Sequence, residues 1–157
     1  MIIFLRHGEA ENNVKKILAG RTPGINLTEQ GKQQAEQAGE MIKSLNISAI
    51  YSSPIDRAMQ TAEIVGKHCD VKPILDDRLI ELDMGKFTMV PYTEIFKNHG
   101  NVFLKFYEGS LEISHNGVES FAQVQKRVFD IVDFVKNKHK GENVVLVTHM
   151  DPIKAMI

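Results

Sequence analysis

Ile2-Ile3-Phe4-Leu5 is an unbroken apolar run that stops at Arg6-His7 and a glycine. That pattern predicts a short strand buried on both faces. Gly20, Pro23, Gly24 and Asn26 mark residues 20–27 as loop. Thr28 opens a helix whose apolar positions Ala35, Ala38, Met41, Ile42 and Leu45 recur at helical spacing. Ala49-Ile50-Tyr51 is a second strand. Ser53-Pro54-Ile55-Asp56 predicts a helix start, with Ser53 as N-cap, Pro54 at the first helical position and Asp56 at capping-box spacing. The inward face of that helix is Ala58, Thr61, Ala62 and Val65. Ile74-Leu75 is a third strand, before an acidic turn at Asp76-Asp77.

From 85 to 117 the pattern loosens. Pro91 begins a short helix and 102–107 forms another. A long helix follows over 120–138, with Phe121, Val124, Val128, Ile131 and Val135 inward. Gly141 leads into a fourth buried strand over 144–147. Asp151-Pro152 caps a last helix with room for less than two turns, although Ile153, Met156 and Ile157 already form an apolar face. So short a helix is marginal without strong docking, and a truncated chain is the expectation.

Strands alternate with helices, so the predicted fold is α/β, a mainly parallel open sheet flanked by helices. Residues 86–116 form a short helical and aromatic insertion over the C-terminal edge of the sheet. The length of 157 residues fits one domain over 1–157. In such sheets ligands bind beyond the carboxyl ends of the strands. Two strand ends carry histidine, His7 after the first and His149 after the fourth. If those strands are neighbours, both imidazoles emerge at one place.

Composition narrows the classes without changing this picture. A net charge of −1 gives no global field for nucleic acid or a membrane surface. Cys69 is the single cysteine, so no internal disulfide forms, which fits a reducing, cytoplasmic setting. The opening apolar run is too short for a signal peptide and has no basic leader. His68, Cys69 and Asp70 are adjacent, which suits a frayed helix end better than a metal site. His99, His115 and His139 read as exposed loop or helix-end residues, and Lys136, Lys138 and Lys140 as the solvated end of the long helix.

The candidate chemistry lies at the strand ends. Arg6 and His7 end the first strand, Arg57 sits just past Ser52-Ser53, Glu81 follows the third strand and His149 follows the fourth. Two arginines offer planar, permanent positive forks for phosphate oxygens. A neutral imidazole among them is a competent nucleophile on phosphorus. Positive charge around it stabilises the equatorial oxygens of the transition state, and a carboxylic acid opposite can protonate the leaving oxygen.

Arg6-His7-Gly8-Glu9 resembles the signature of the histidine phosphatase superfamily, the group of phosphoglycerate mutases and related phosphatases. The resemblance continues through Gly20-Arg21-Thr22-Pro23 and Asn26-Leu27-Thr28-Glu29-Gln30-Gly31. It is strongest from Ser52-Ser53-Pro54 through Arg57 to Thr61-Ala62. It resumes at Arg78-Leu79-Ile80-Glu81, Gly117-Val118-Glu119-Ser120 and Val147-Thr148-His149. The resemblance implies that His7 carries a transient phosphohistidine, and that Arg6, Arg57 and His149 complete the phosphate pocket. It further implies Asn13 as a phosphate contact, Gly20 and Thr22 near that pocket, and Glu81 as the acid that protonates the leaving group and then activates water. Asp83 is a reserve candidate for that acid. No metal or other cofactor is implied.

Two positions depart from the family. Met150 stands where glycine usually follows the second histidine, and a side chain there is expected to crowd the pocket or alter the backbone. Phe87-Thr88-Met89 replaces an aromatic-Glu-Gly run near Glu81. The aromatic residues Phe87, Tyr92, Phe96, Phe103, Phe106 and Tyr107 either pack a small lobe or line a lid over the phosphate site. The leading expectation is a phosphomonoesterase acting on a small phosphorylated metabolite or a phosphoprotein. A phosphoglycerate mutase-type phosphotransferase and a non-catalytic phosphate- or phosphoprotein-binding domain are the alternatives.

Overall fold

The computed structural model describes residues 1–100 and 117–157. The predicted helix at 102–107, and with it His115, Phe103, Phe106 and Tyr107, lies outside the described residues.

Among the described residues the apolar runs become four parallel strands: β1 (Ile2–Arg6), β2 (Ile47–Ser52), β3 (Ile74–Leu75) and β4 (Asn143–Thr148). Their order in the sheet is β1-β4-β2-β3. The last strand in the chain therefore inserts between the first and second, and the predicted neighbours β1 and β4 do pair. β4 is buried over residues 144–148, whereas β1 lies at the sheet's edge among the described residues and is only half-buried. Full burial was expected of β1; its edge position explains the difference.

Among the described residues six α-helices connect and flank the strands: α1 (Glu11–Lys15), α2 (Glu29–Ile42), α3 (Asp56–Cys69), α4 (Tyr92–His99), α5 (Phe121–Lys138) and α6 (Met150–Lys154). Alternation along β4 supplies both faces of the sheet. Val144 and Leu146 pack with Ile131, Val132 and Val135 of α5. Val145 and Val147 pack with Ala58, Ala62 and Val65 of α3. Each fully buried aliphatic side chain contributes about 1.5–3 kcal/mol. A third cluster joins Leu82, Met84 and Phe87 to Ile95 of α4 and Val124 and Val128 of α5, which seats the start of the insertion over the C-terminal edge of the sheet.

The helix starts show where local signals were redirected. Thr28 caps α2, accepting from the Gly31 amide, and Ser120 and Gln123 form a capping box on α5. Helix α3 begins at Asp56, two residues later than Ser53-Pro54 predicts, and Ile55 is its N-cap. The Ser53 hydroxyl instead faces His149, and the Asp56 carboxylate accepts from the Gly24 amide at 2.6 Å. The last helix is capped at His149, not at Asp151. Met41 was expected on the inner face of α2 but is 79% exposed. The buried face of α2 is Gly31, Ala35 and Gly39, a line of small residues that lets α3 approach closely.

Two histidines expected at the surface are engaged. His68, at the end of α3, is not frayed: its ring packs on Gly39 and pairs with Glu36 and Glu40 of α2. His139 bridges the Tyr51 hydroxyl, at 3.0 Å from Nε2, and Glu142, at 2.6 Å from Nδ1. Among the described residues no group of three His, Cys, Asp or Glu side chains is placed to hold a metal ion, and no helix is long and apolar enough to cross a membrane.

The segment after β1 is pinned by backbone packing. A Cβ on Gly31 would stand 1.9 Å from the Glu9 carbonyl oxygen, and one on Gly8 would stand 2.3 Å from that of Gly31. Both obstacles are main chain, so neither can yield without moving the residues beside His7. Gly31→Ala is expected to destabilise the fold by about 1–3 kcal/mol, the usual cost of overpacking. A lowered urea midpoint with an unchanged slope would show it; an unchanged midpoint would contradict the packing.

Candidate active site

The register of the sheet brings the strand ends together. Arg6 pairs with Thr148, and Ser52 with Val147. The ladder then runs one residue further, with the His7 amide donating to the Thr148 carbonyl at 3.0 Å and Ser53 to that of Val147 at 2.9 Å. His7, His149 and Ser53 therefore leave three adjacent strands side by side. The two imidazole rings meet edge to face with centroids 5.1 Å apart.

His7 Nδ1 lies 2.7 Å from the Gly8 carbonyl oxygen, and Arg57 Nε lies 3.2 Å from His7 Nε2. A carbonyl only accepts and a guanidinium only donates. One neutral tautomer satisfies both: the proton sits on Nδ1 and the lone pair on Nε2. Burial, followed by the nearby charges of Arg57 and Arg6 and opposed by the bond to Gly8, lowers the His7 pKa to about 4. Its ring is therefore neutral at ordinary pH. Gly8 is held in turn by Thr61, whose hydroxyl accepts from the Gly8 amide and donates to the Arg57 carbonyl.

Arg57 is 2% exposed. Its Nη2 donates to the Gly20 carbonyl at 2.7 Å, while Nη1 has no hydrogen-bond partner among the described residues. His149 is fully buried, and burial is the first cause of its lowered pKa, ahead of Arg57 and His7. Its Nε2 lies 2.8 Å from Ser53 Oγ, and its Nδ1 is unpartnered among the described residues. Ser53 Oγ already accepts from the Ile55 amide. If Ser53 also gives its own proton to His149 Nε2, the ring's proton sits on Nδ1.

His7 and Arg57 open onto a cavity of about 380 Å³, whereas His149 lies buried behind His7 and is not among the residues lining it. Arg6, His7, Asn13, Gly20, Arg57 and Glu81 all line it. Asn13 Oδ1 accepts from the Ala10 amide at 2.9 Å, which leaves the amide nitrogen to the cavity. Gly20 serves the site through its carbonyl, as the anchor of Arg57. Thr22 does not line the cavity, and its amide closes a turn onto Ala19. Leu18, Met84, Tyr92, Phe96 and Met150 also line the cavity. Tyr92 and Phe96 thus line the cavity, while Phe87 is core. Met150 is one of the residues lining the pocket. The backbone is not strained, because Met150 does not have a positive φ.

Glu81 is 8% exposed and its Oε1 accepts from the next residue's amide, Leu82 N, at 2.8 Å. Burial, then the neighbouring charge of Asp151, raises its pKa to about 8. The carboxyl is therefore protonated at neutral pH. Asp83, the reserve acid, does not line the cavity; it accepts from the Gly85 amide and pairs with Arg21 at 3.8 Å.

Several supporting residues escaped the sequence reading. Arg127 of α5 donates to the carbonyls of Arg78 at 2.9 Å and Ile80 at 2.6 Å. Arg21 donates to the Glu81 carbonyl at 2.8 Å. Glu119 accepts from both arginines, closing a bracket around the segment that carries Glu81. Asn12 and Asp151 are buried and line the cavity. Glu119 and Arg21 each stood in a matched segment, Gly117–Ser120 and Gly20–Pro23; the others left no such signal.

The chain is similar to known phosphatases and mutases. It is 38% identical to a 2,3-bisphosphoglycerate-dependent phosphoglycerate mutase from Thermoplasma acidophilum, over 99% of this chain and 73% of the relative. It is 31% identical to phosphoserine phosphatase 1 from Hydrogenobacter thermophilus, with the same two coverages of 99% and 73%. A structure of a mycobacterial glucosyl-3-phosphoglycerate phosphatase with VO3 superposes with a TM-score of 0.91 at 27% identity, over 99% of this chain and 77% of that one. Residues 2–157 match the family described as the histidine phosphatase superfamily, branch 1. The chain belongs to that superfamily.

Proposed function

We propose that the chain is a metal-independent phosphomonoesterase that works through a phosphohistidine on His7, with Glu81 as its acid and base. The observation that carries this reading is the pairing of opposite protonation states in one cavity: a neutral His7 with its lone pair on Nε2, and a protonated Glu81.

In the first step His7 Nε2 attacks phosphorus while the bond from phosphorus to the ester oxygen breaks. Glu81 gives its proton to that oxygen, and the alcohol leaves. In the second step the Glu81 carboxylate takes a proton from water as the water oxygen attacks phosphorus and the N–P bond breaks. Phosphate departs, and His7 and Glu81 return to their starting forms. Arg6, Arg57 Nη1 and the Asn13 amide supply donors for the equatorial oxygens, where preorganised donors count most, with the His149 ring packed edge to face against His7. Fixed cations in these positions supply the charge neutralisation that Mg²⁺ supplies in kinases.

The substrate class is a small phosphate ester. The phosphatase relatives support hydrolysis, whereas the 38% identity to a mutase supports transfer between two positions of one substrate. A panel of phosphate esters assayed with EDTA separates these. Phosphate release that survives EDTA and is blocked by vanadate is the expected result. Interconversion of 2- and 3-phosphoglycerate without phosphate release would favour the mutase.

The same assay carries a pH prediction. His7 must be unprotonated, which holds above about pH 4, and Glu81 protonated, which holds below about pH 8. The profile of kcat/KM, which reports the free enzyme, is expected to be a bell between those limits. Activity still rising beyond pH 9 would contradict the role of Glu81.

A further inference from the structure

Asp151 takes no part in the two steps above, yet it is a 3% exposed carboxyl lining the same cavity as Glu81. The two reach that cavity from different parts of the fold. Glu81 comes from the segment after β3, bracketed by Arg21, Glu119 and Arg127. Asp151 comes from the first turn of α6, directly after the end of β4. Both are buried, and each faces the same cavity.

Two buried carboxyls sharing a site do not both ionise readily, and one holds its proton to higher pH. Among the described residues, the charged or titratable groups around Glu81 are Asp151 of α6, Arg57 of α3, Arg127 of α5 and Tyr92 of α4. His7 and Arg6 line the cavity from β1 and its end, and Lys154 from α6. Arg57 and Arg127 favour the ionised form of Glu81; burial and Asp151 oppose them and prevail. Tyr92 reports the same grouping: after burial, its hydroxyl is pushed up first by Asp151 and also by Glu81.

We propose that Asp151 is a positioning residue for the catalytic proton: its carboxylate keeps that proton on Glu81 in the free enzyme, against the pull of Arg57 and Arg127. The inference rests on reading Glu81 as the proton donor. Its consequence extends to both steps. Before the first, the acid form is populated at neutral pH. After it, a Glu81 carboxylate beside a second carboxylate is a stronger base toward the incoming water.

The test is Asp151→Asn in the full chain, an isosteric change that removes the charge. The basic limb of kcat/KM is expected to move to lower pH by about one unit or more, the scale of a neighbouring-carboxylate effect. At pH 6, where Glu81 is protonated in either protein, KM is expected to stay within about twofold, since Asp151 is assigned no contact with substrate. A uniform loss of rate with an unmoved limb would make Asp151 merely structural and overturn the proposal. A raised KM with an unmoved limb would assign Asp151 to substrate binding and overturn it equally. Titration of carboxyl-labelled glutamate by NMR gives a readout that needs no turnover. Wild type is expected to show one glutamate titrating above neutrality, abolished in Glu81→Gln and shifted down in Asp151→Asn; Asp151→Ser serves if the asparagine variant fails to fold. No such glutamate in wild type would overturn the proposal. A shifted glutamate in a protein without phosphatase activity would leave the proton-sharing pair standing and remove only the functional reading.

Discussion

His7→Ala is expected to lower hydrolysis of every phosphate ester, aryl phosphates included, by roughly 10⁴- to 10⁶-fold, the scale of removing a nucleophile that acts as a unit with its partners. The remaining donors would still hold phosphate, but nothing in the cavity would replace the lone pair that Arg57 and the Gly8 carbonyl fix on Nε2. His149 is not a substitute. Its Nε2 is engaged with Ser53, and the ring is fully buried and does not line the cavity. The variant is expected to stay folded, since the His7 side chain bonds only within the site. Phosphate release measured beside circular dichroism checks both points. A folded His7→Ala protein that hydrolyses p-nitrophenyl phosphate within tenfold of wild type would contradict the assignment.

Glu81→Gln is expected to divide substrates by leaving group. An alkyl phosphate leaves as a strongly basic alkoxide unless it receives a proton, so its kcat is expected to fall by roughly 10²–10⁴-fold. That corresponds to about 3–5 kcal/mol of transition-state stabilisation. An aryl phosphate leaves as a stabilised phenolate and needs less help, so its first step is expected to suffer much less. The second step still lacks its base, so phosphoenzyme is expected to accumulate with the aryl substrate. Single-turnover kinetics with the two substrate types make the comparison. Equal losses for both at the first step would mean that Glu81 acts in some way other than by giving a proton. The amide also keeps the acceptor used by the Leu82 amide, so the local fold is preserved.

Much of this architecture was legible because strand burial and helical spacing both leave periodic traces. The runs at residues 2–5 and 144–147 became paired strands, and pairing β1 with β4 is what joins His7 to His149. The positions of Arg57 and Glu81 were legible through motif order, not periodicity. Other features were hidden for physical reasons. Ser53-Pro54 has the chemistry of a helix cap, but the hydroxyl serves His149 and the helix starts later. Met41 fits a helical stripe, yet α2 packs on α3 through glycine and alanine, which carry almost no hydrophobic signal. Arg127, Arg21, Glu119 and Asp151 carry the composition of a solvated surface. Their partners lie far away in sequence, and only the folded chain shows that they bracket or face Glu81.

The central claim, that phosphate passes through His7, is tested most directly by trapping. The protein is mixed with phosphate-labelled substrate, quenched in alkali to preserve phosphohistidine, digested and mapped. The account predicts label on the peptide carrying His7, appearing in a burst before steady turnover and lasting longer in Glu81→Gln. Steady phosphate release with no label on His7, or with label on another residue, would contradict it.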